Sequence, residues 1–405
     1  MNRIFALCFL LIAGVLAYLR IDSQPAWSPF KPPFEVARQS SNEEQTKTKL
    51  PISAPEADWL PDTGAPSVHA ASLIALNDGT IRAFWFAGSR EGAPDVVIAS
   101  SVFHSKEGAW SAPTVVMDRV RAERGLSRYI AKLGNPVPAR MADGRLQLFF
   151  VTVSIGGWAG SSISSVISND EGVTWSKPER LITSPLVNLS TLVKSPAIAF
   201  EDGRIGLPAY HEWIGRFGEL LRIEDSRVID VRRMSSGRGA IQPAILIDGQ
   251  EQATAYFRQT RSSDQVKEVP VSVTKDAGRH WQIGSDLPIA NPNSALAVIS
   301  LANGTRLMAL NNLETGRYRL VLLMNNGRDS DWSIIQTVED DEALPDLQRR
   351  EFSYPYLMTA NGRDAHLVYT WDRKRIRHIY FSGAWLEHAQ HQMALLEDKT
   401  EGLKQ

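Results

Sequence analysis

The stretch SNDEGVTW at residues 168–175 recurs as TKDAGRHW at residues 274–281, and this repeat decides the fold class. Both copies read hydroxyl-x-Asp-x-Gly-x-x-Trp. In such a turn the Asp accepts hydrogen bonds from nearby backbone N–H groups, and the Gly adopts a positive φ that a residue with a Cβ resists. The Trp ring packs beneath the turn as an apolar plug. Each copy follows an alternating apolar stretch, at 162–167 and 269–273, which indicates a repeated β-hairpin.

Weaker copies of the turn give the length of the repeat. Segment 105–110 lacks the Asp, but the sequence WSAP at its end resembles the WSKP at the end of the first full copy. Segment 325–332 keeps the Trp. The intervals between Trp110, Trp175, Trp281 and Trp332 are 65, 106 and 51 residues, and the middle interval is twice 53. A period of roughly 50–60 residues is typical of four-stranded blades joined in a ring. Residues 60–390 hold about six such periods, so the sequence predicts an all-β, six-bladed β-propeller.

Composition agrees with a large β domain and argues against several classes of function. The chain has 405 residues, 43% of them apolar, with 28 Gly and 22 Pro. A net charge of −1 gives no overall attraction to nucleic acid, and the basic cluster at 373–375 is interpreted as a solvated loop. A Gly-rich phosphate loop, Cys/His metal spacing and a Gly-x-Ser-x-Gly elbow are all missing from the sequence. We expect a monomer with no cofactor, no metal and no nucleic-acid partner.

The two ends of the chain are predicted to lie outside the propeller. The apolar run 4–19 lies between Arg3 and Arg20 and contains Cys8, the single cysteine. Residues 1–20 are interpreted as an uncleaved signal-anchor helix in the membrane, with a cleaved signal peptide as the alternative. Both predict an exported domain, periplasmic or extracellular, that is membrane-anchored or secreted. Residues 21–58 are predicted to be a flexible tether, 59–388 the propeller, and 389–405 a polar C-terminal tail.

The two turns are Asp boxes, and the chain resembles the sialidase (neuraminidase) superfamily of BNR-repeat propellers over residues 65–385. The resemblance implies a glycoside hydrolase. Its segment GSREGAPD, residues 88–95, implies a role for Arg90 near the substrate carboxylate and for Asp95 as general acid/base. Arg258 and Arg317 resemble two arginines of the family's carboxylate-binding triad. Tyr354, in EFSYPYL, resembles the tyrosine nucleophile, and Asn135 lies in a similar Asn-Pro segment.

Two positions depart from the family pattern. His69 stands where the family has the first arginine of the triad, and Gln242 stands where it has the glutamate that activates the tyrosine. A histidine offers no guanidinium fork, and an amide cannot take a proton. Glu91, Glu212 or Glu351 are alternatives for the missing carboxylate. His211, next to Glu212, is a further candidate for lining the site.

The mechanism that the resemblance implies explains these residue types. Arginines hold the carboxylate of a sialic-acid-like sugar, a neutral Tyr354 attacks the anomeric carbon without like-charge repulsion, and Asp95 protonates the leaving oxygen. This predicts a retaining hydrolase of sialic-acid-like or other acidic glycans. The alternative, consistent with His69 and Gln242, is a non-catalytic glycan-binding or assembly propeller tethered to the membrane.

Overall fold

The computed structural model describes residues 8, 11, 26–33, 53–105, 107–184, 188–213, 215–235, 239–261, 267–327 and 332–402. The predicted signal-anchor helix, with its membrane contact through residues 4–19, lies outside the described residues except for Cys8 and Leu11. Within the described ranges, no helix combines the length and the apolar character needed to cross a membrane.

Six antiparallel sheets in the described part of the chain form the blades of a propeller, as the repeat predicts. Two short strands precede the blades: β1 (Phe30–Lys31) and β2 (Glu56–Trp59). Blade 1 consists of β3 (Ser67–Ala75), β4 (Ile81–Gly88), β5 (Val97–His104), β6 (Ala109–Trp110) and β7 (Thr114–Met117). Blade 2 follows helix α1 (Arg119–Leu126) and consists of β8 (Lys132–Arg140), β9 (Leu146–Val153), β10 (Ser161–Ser168) and β11 (Glu179–Arg180).

Blades 3 to 6 repeat this arrangement with local additions. Blade 3 consists of β12 (Thr191–Val193), β13 (Ile198–Phe200), β14 (Ile205–His211), β15 (Phe217–Glu224) and β16 (Arg227–Arg233). Blade 4 consists of β17 (Ala240–Ile247), β18 (Ala253–Gln259), β20 (Val271–Thr274) and β21 (Gln282–Ile283), beside a pair formed by β19 (Glu268–Val269) and β22 (Leu287–Ala290). Blade 5 consists of β23 (Ala297–Ser300), β24 (Arg306–Leu310), β25 (Arg319–Asn325) and β26 (Ser333–Asp340). Blade 6 consists of β27 (Phe352–Met358), β28 (Ala365–Trp371), β29 (Arg375–Phe381) and the early strand β2. Two short 3₁₀ helices cover Trp158–Gly160 and Asp346–Gln348.

Inner strands of successive blades pack against one another and close the ring, since β27 contacts β3. The outer strand of blade 6 is β2, which pairs antiparallel with β29, so the two ends of the domain meet in one sheet. This pairing supplies backbone hydrogen bonds that an open ring would leave unmade.

The Asp-box turns have the geometry that their residues predict. In the first copy, Asp170 Oδ1 accepts hydrogen bonds from Thr174 N at 2.8 Å and from Ser168 Oγ at 2.7 Å, and Gly172 has φ 89°. Trp175 packs edge-on against Phe84 of the neighbouring blade, with ring centroids 5.8 Å apart. The turns therefore hold adjacent blades together, which is a structural role.

Part of the predicted tether, 21–58, is folded onto the propeller. β1 pairs with β13, and Phe30 is completely buried. The indole of Trp27 donates a hydrogen bond to Ala277 O at 3.1 Å, and the guanidinium of Arg222 lies 4.2 Å from the Trp27 ring centre. The polar composition of the segment predicted a tether, but its two aromatic side chains, Trp27 and Phe30, bury apolar surface favourably against blades 3 and 4.

Helix α2 (Gly383–Gly402) follows the last strand directly. It therefore begins inside the span predicted as propeller, 59–388, and continues through the described part of the tail predicted for 389–405. Leu386 and Met393 are buried against blades 5 and 6. The helix is part of the domain because these apolar side chains occupy one face of it.

Candidate active site

Near the start of each inner strand, within it or just before it, one residue lies in the left-handed backbone region, and these six residues form a ring around the channel. We call them the bulge ring: Ala70 (φ 52°), Asn135 (45°), Ser190 (62°), Gln242 (52°), Asn293 (56°) and Tyr354 (55°). At four of them the strand register also shifts, as expected for a β-bulge. A positive φ costs a residue with a Cβ about 1–3 kcal/mol and is concentrated at functional sites. Six repeats of this strain in one layer direct attention to this end of the channel.

Tyr354 and Gln242 of the bulge ring are in contact at the centre. Gln242 Nε2 donates to Tyr354 Oη at 3.4 Å and to Tyr210 Oη at 3.1 Å. Asn135 Nδ2 lies 3.5 Å from Tyr210 Oη, a long contact. Tyr210 is buried, and burial raises its pKa well above the ordinary value. The phenol of Tyr354 therefore has an amide, which cannot accept a proton, as its hydrogen-bond partner.

Arg258 and Arg317 come from different blades and meet at Asn293. Arg258 Nε donates to Asn293 Oδ1 at 2.7 Å, and Arg317 Nη2 donates to Asn293 O at 3.0 Å. Arg258 Nη1 also donates to Gln242 Oε1 at 3.3 Å. The structure thus joins Arg258, Arg317, Gln242 and Tyr354, four of the residues that the sequence singled out.

Arg373, in the basic cluster 373–375 that was interpreted as a solvated loop, also reaches this centre, although its side chain remains 43% exposed. Its Nη1 donates to Glu91 Oε2 at 2.7 Å, and its Nε donates to Glu351 Oε2 at 3.1 Å. Arg317 Nη1 donates to Glu351 Oε1 at 3.0 Å. The contact between Arg373 and Glu91 could not be predicted from the sequence, because the two residues are 282 positions apart along the chain.

The carboxylate of Glu351 lies between two guanidinium groups. Burial alone would raise its pKa, but the hydrogen bonds from Arg373 and the charge of Arg317 outweigh burial and lower the pKa to about 2. Glu351 is therefore ionised throughout the physiological range of pH.

His69 lies beside these charges and is itself uncharged. Burial, reinforced by the positive charge of Arg373, lowers its pKa to about 3. Its ring centre is 4.4 Å from that of Tyr354 and 5.5 Å from that of Phe86. Its side chain is 1% exposed, and no described residue forms a hydrogen bond with either ring nitrogen.

His211 is the last residue of β14 and Glu212 follows it, but the two side chains have different surroundings. Burial raises the pKa of Glu212, and Arg258 is the strongest of the nearby charges that oppose this rise. A carboxyl group with a raised pKa keeps its proton to higher pH and is suited to donate it. The imidazole of His211 instead pairs with Glu219 at 2.8 Å and stacks on Phe217.

Asp95 and Arg90 lie in the loop between β4 and β5, outside these contacts. Asp95 accepts hydrogen bonds from Ser89 N at 3.0 Å and Ser89 Oγ at 2.9 Å, and these bonds lower its pKa. Its carboxylate is exposed, as is Arg90. Among the described contacts, none joins Asp95 to Tyr354. Glu91 of the same loop does reach the centre, through Arg373.

The residues that meet at the centre form one network, which we call the central cluster. Its members are His69, Glu91, Tyr210, Gln242, Arg258, Asn293, Arg317, Glu351, Tyr354 and Arg373. The cluster lies where the inner strands begin. The Asp-box turns lie at the other end of these strands, where Asn77, after β3, donates to Glu171 of the first box at 2.7 Å. Polar groups at one end of a propeller channel can bind a polar ligand.

Lys194 crosses the channel beneath the central cluster. Its ammonium donates to Pro355 O of blade 6 and to Leu296 O, just before β23 of blade 5, the latter at 3.4 Å. Burial lowers its pKa to about 7. Towards the Asp-box end the channel opens into an apolar cavity of about 400 Å³, lined by side chains from all six blades that include Leu73, Ile198, Leu246 and Leu357.

Comparison with known proteins agrees with this architecture. Residues 79–396 match the model of the BNR repeat-like domain family. No curated protein sequence is significantly similar to the chain. Among solved structures, a Hadza microbial sialidase superimposes with a TM-score of 0.63 at 13% identity, covering 78% of this chain and 66% of the sialidase. The sialidase of Trypanosoma rangeli gives 0.64 at 12% identity, with 86% and 63% covered.

A third similar structure is a protein of unknown function from Dyadobacter fermentans. Its TM-score is 0.64 at 12% identity, and the match covers 81% of this chain and 98% of that one. The chain thus spans about two thirds of the length of the two sialidases and nearly all of the Dyadobacter protein. At these identities the likeness establishes the six-bladed sialidase-like fold, and the chemistry has to be argued from this chain's own residues.

Proposed function

Because the chain belongs to the BNR repeat-like domain family, we propose that its central cluster binds and hydrolyses glycans that contain an acidic sugar. One observation carries the proposal. Arg258, Arg317, Tyr354 and His69, drawn from four different blades, converge at one end of the channel together with carboxylates. Arginines recognise a carboxylate through paired hydrogen bonds, and a tyrosine and carboxyl groups beside them supply the groups needed for glycoside cleavage.

The residues have distinct proposed roles. Arg258 binds the acidic group of the sugar, and Tyr354 attacks the anomeric carbon. Glu212, whose pKa burial raises, donates a proton to the leaving oxygen and later accepts one from the attacking water. Glu91 receives the proton of the phenol, because Gln242 cannot. We assign the proton donation to Glu212 in preference to Asp95, because the hydrogen bonds from Ser89 favour the ionised form of Asp95.

A second candidate function has its own support. The contact of Tyr354 with Gln242 leaves the tyrosine without a carboxylate partner, which favours a propeller that binds an acidic glycan without cleaving it. Binding with no turnover would identify this function.

The test is turnover by the full-length chain on aryl glycosides of sialic acids, hexuronic acids and neutral hexoses. We expect cleavage of an acidic glycoside, and a loss of about 10²-fold or more in kcat for Tyr354→Phe and for Glu212→Gln. Arg258→Gln should mainly raise KM. Arg319→Gln is the matched control, because that guanidinium pairs with Asp340 outside the central cluster. A protein that neither binds nor cleaves any acidic glycoside would refute both candidate functions.

The cellular setting is part of the proposal. We propose that residues 1–20 export the domain and, if they are retained, hold it on the outer side of the membrane as a monomer. Protease treatment of intact and of opened cells tests this placement, because an exported domain is cleaved in cells whose inner membrane remains closed.

A further inference from the structure

Arg317 and Arg373 already hold a carboxylate that belongs to the protein. Glu351 accepts hydrogen bonds from Arg317 at 3.0 Å through one oxygen and from Arg373 at 3.1 Å through the other. Arg373 reaches a second carboxylate, Glu91, at 2.7 Å. Two cations are therefore matched by two anions at this side of the central cluster, and little positive charge remains there for a ligand.

We propose that Glu351 is the specificity-determining residue of the site, because it occupies the space between Arg317 and Arg373 that a ligand carboxylate would otherwise take. The inference rests on the proposed function and names its substrate class. The site should prefer glycosides of hexuronic acids, whose carboxylate is remote from the anomeric carbon. It should disfavour sialic acids, which carry a carboxylate on that carbon.

The position of Tyr354 explains the discrimination. Its ring centre lies 4.4 Å from that of His69, with the two ring planes tilted by 56°. His69 in turn lies among the charges of Arg373, Glu351 and Arg317. The reacting carbon of a bound sugar lies beside Tyr354, so a carboxylate attached to that carbon would approach the anion of Glu351. Like charges in a site that is partly shielded from water repel one another strongly.

His69 indicates what this side of the site accepts instead. The imidazole is neutral, so one ring nitrogen donates a hydrogen bond and the other accepts one. Both nitrogens are buried, and neither has a hydrogen-bond partner among the described residues. A buried polar atom without a partner is unfavourable, and a sugar hydroxyl, which both donates and accepts, would satisfy it.

Arg258 is the guanidinium suited to a ligand carboxylate. Its described hydrogen bonds go to Asn293 Oδ1 and Gln242 Oε1, both neutral acceptors, and no described carboxylate forms an ion pair with it. The positive charge of Arg258 is therefore not cancelled by direct contact, unlike that of Arg317 or Arg373. A single carboxylate on the ligand matches this single cation.

The experiment is calorimetric binding of non-hydrolysable thioglycosides of glucuronic acid, galacturonic acid, a sialic acid and glucose. The wild-type chain should bind one of the two hexuronides at least about tenfold more tightly than the sialoside. Glu351→Gln removes the anion but keeps the shape of the side chain. It should tighten sialoside binding by about tenfold or more, because Arg317 and Arg373 become available.

Glu171→Gln is the matched control, because Glu171 forms a similar bidentate pair with Arg140 at the Asp-box end and is comparably exposed. It should leave the order of affinities unchanged. If Glu351→Gln does not fold, the wild-type order of affinities and the variant Glu351→Asp, which should keep that order, still decide the question. Equal or tighter binding of the sialoside by the wild type overturns the inference but leaves the proposed function intact. Binding of no acidic sugar at all overturns the proposed function itself.

Discussion

Replacing Lys194 with Met should change the way the protein's stability depends on pH. The lysine is buried across the channel, and burial lowers its pKa from 10.5 to about 7. Between these two values the unfolded chain binds a proton that the folded protein does not. The wild type therefore loses stability as the pH falls from about 10.5 to 7, and below about 7 the loss is complete and constant. This pKa difference of about 3.5 corresponds to a loss of at most about 5 kcal/mol in the free energy of unfolding.

Methionine has no titrating group, but it also leaves Pro355 O and Leu296 O without the Lys194 amine as donor. The variant should be the less stable protein near pH 10, by about 1–3 kcal/mol for the unsatisfied carbonyls. It should equal or exceed the wild type near pH 7. Urea unfolding at pH 7, 8, 9 and 10 gives the difference in unfolding free energy between the wild type and the variant at each pH. The other titrating groups contribute equally to both proteins, so their effect cancels in this difference. A difference that stays constant over this range would refute the argument that the amine is buried and uncharged when the protein is folded.

Three other consequences follow from packing and titration. Phe30→Ala should lower the free energy of unfolding by about 3–5 kcal/mol, since the ring is fully buried; an unchanged urea midpoint would mean that β1 does not pack on blade 3. His366 and His378 form a buried pair in which His366 Nδ1 lies 3.0 Å from His378 Nε2. Burial lowers their pKa values to about 4 and about 3, so the free energy of unfolding should fall as the pH drops from 6.5 towards these values. The fall in melting temperature between pH 7 and pH 4.5 should be smaller in His378→Phe, and an equal fall would exclude the pair as its cause. Asp170→Ala should lower the melting temperature but leave ligand binding per folded molecule unchanged, because the Asp box lies at the opposite end of the inner strands from the site.

Local chemistry made much of the fold predictable. The turns at 168–175 and 274–281 depend on contacts within eight residues, so an Asp, a Gly and a Trp at fixed spacing suffice to identify them. The repeat of tryptophans then predicted six blades, which the structure confirms. The packing of Trp27 and Phe30 on the propeller was not predictable, because two aromatic residues in a polar segment do not reveal which distant surface will bury them.

The candidate site was only partly accessible to sequence reasoning. Arg258, Arg317, Gln242 and Tyr354 were singled out by resemblance, and the structure brings them into contact. Asp95 and Arg90 were singled out in the same way, yet the described contacts of Asp95 stay within its own loop.

By itself, the sequence determined the elements that depend on neighbours along the chain: the hairpins, the Asp boxes, the number of blades and the residue types available for chemistry. Only the tertiary structure decided which charges cancel. Glu91, Glu351 and Arg373 are up to 282 residues apart along the chain and meet because ring closure places blade 6 beside blade 1. Electrostatic pairing depends on the distance between charges in space and on their burial, and the separation of residues along the chain gives neither.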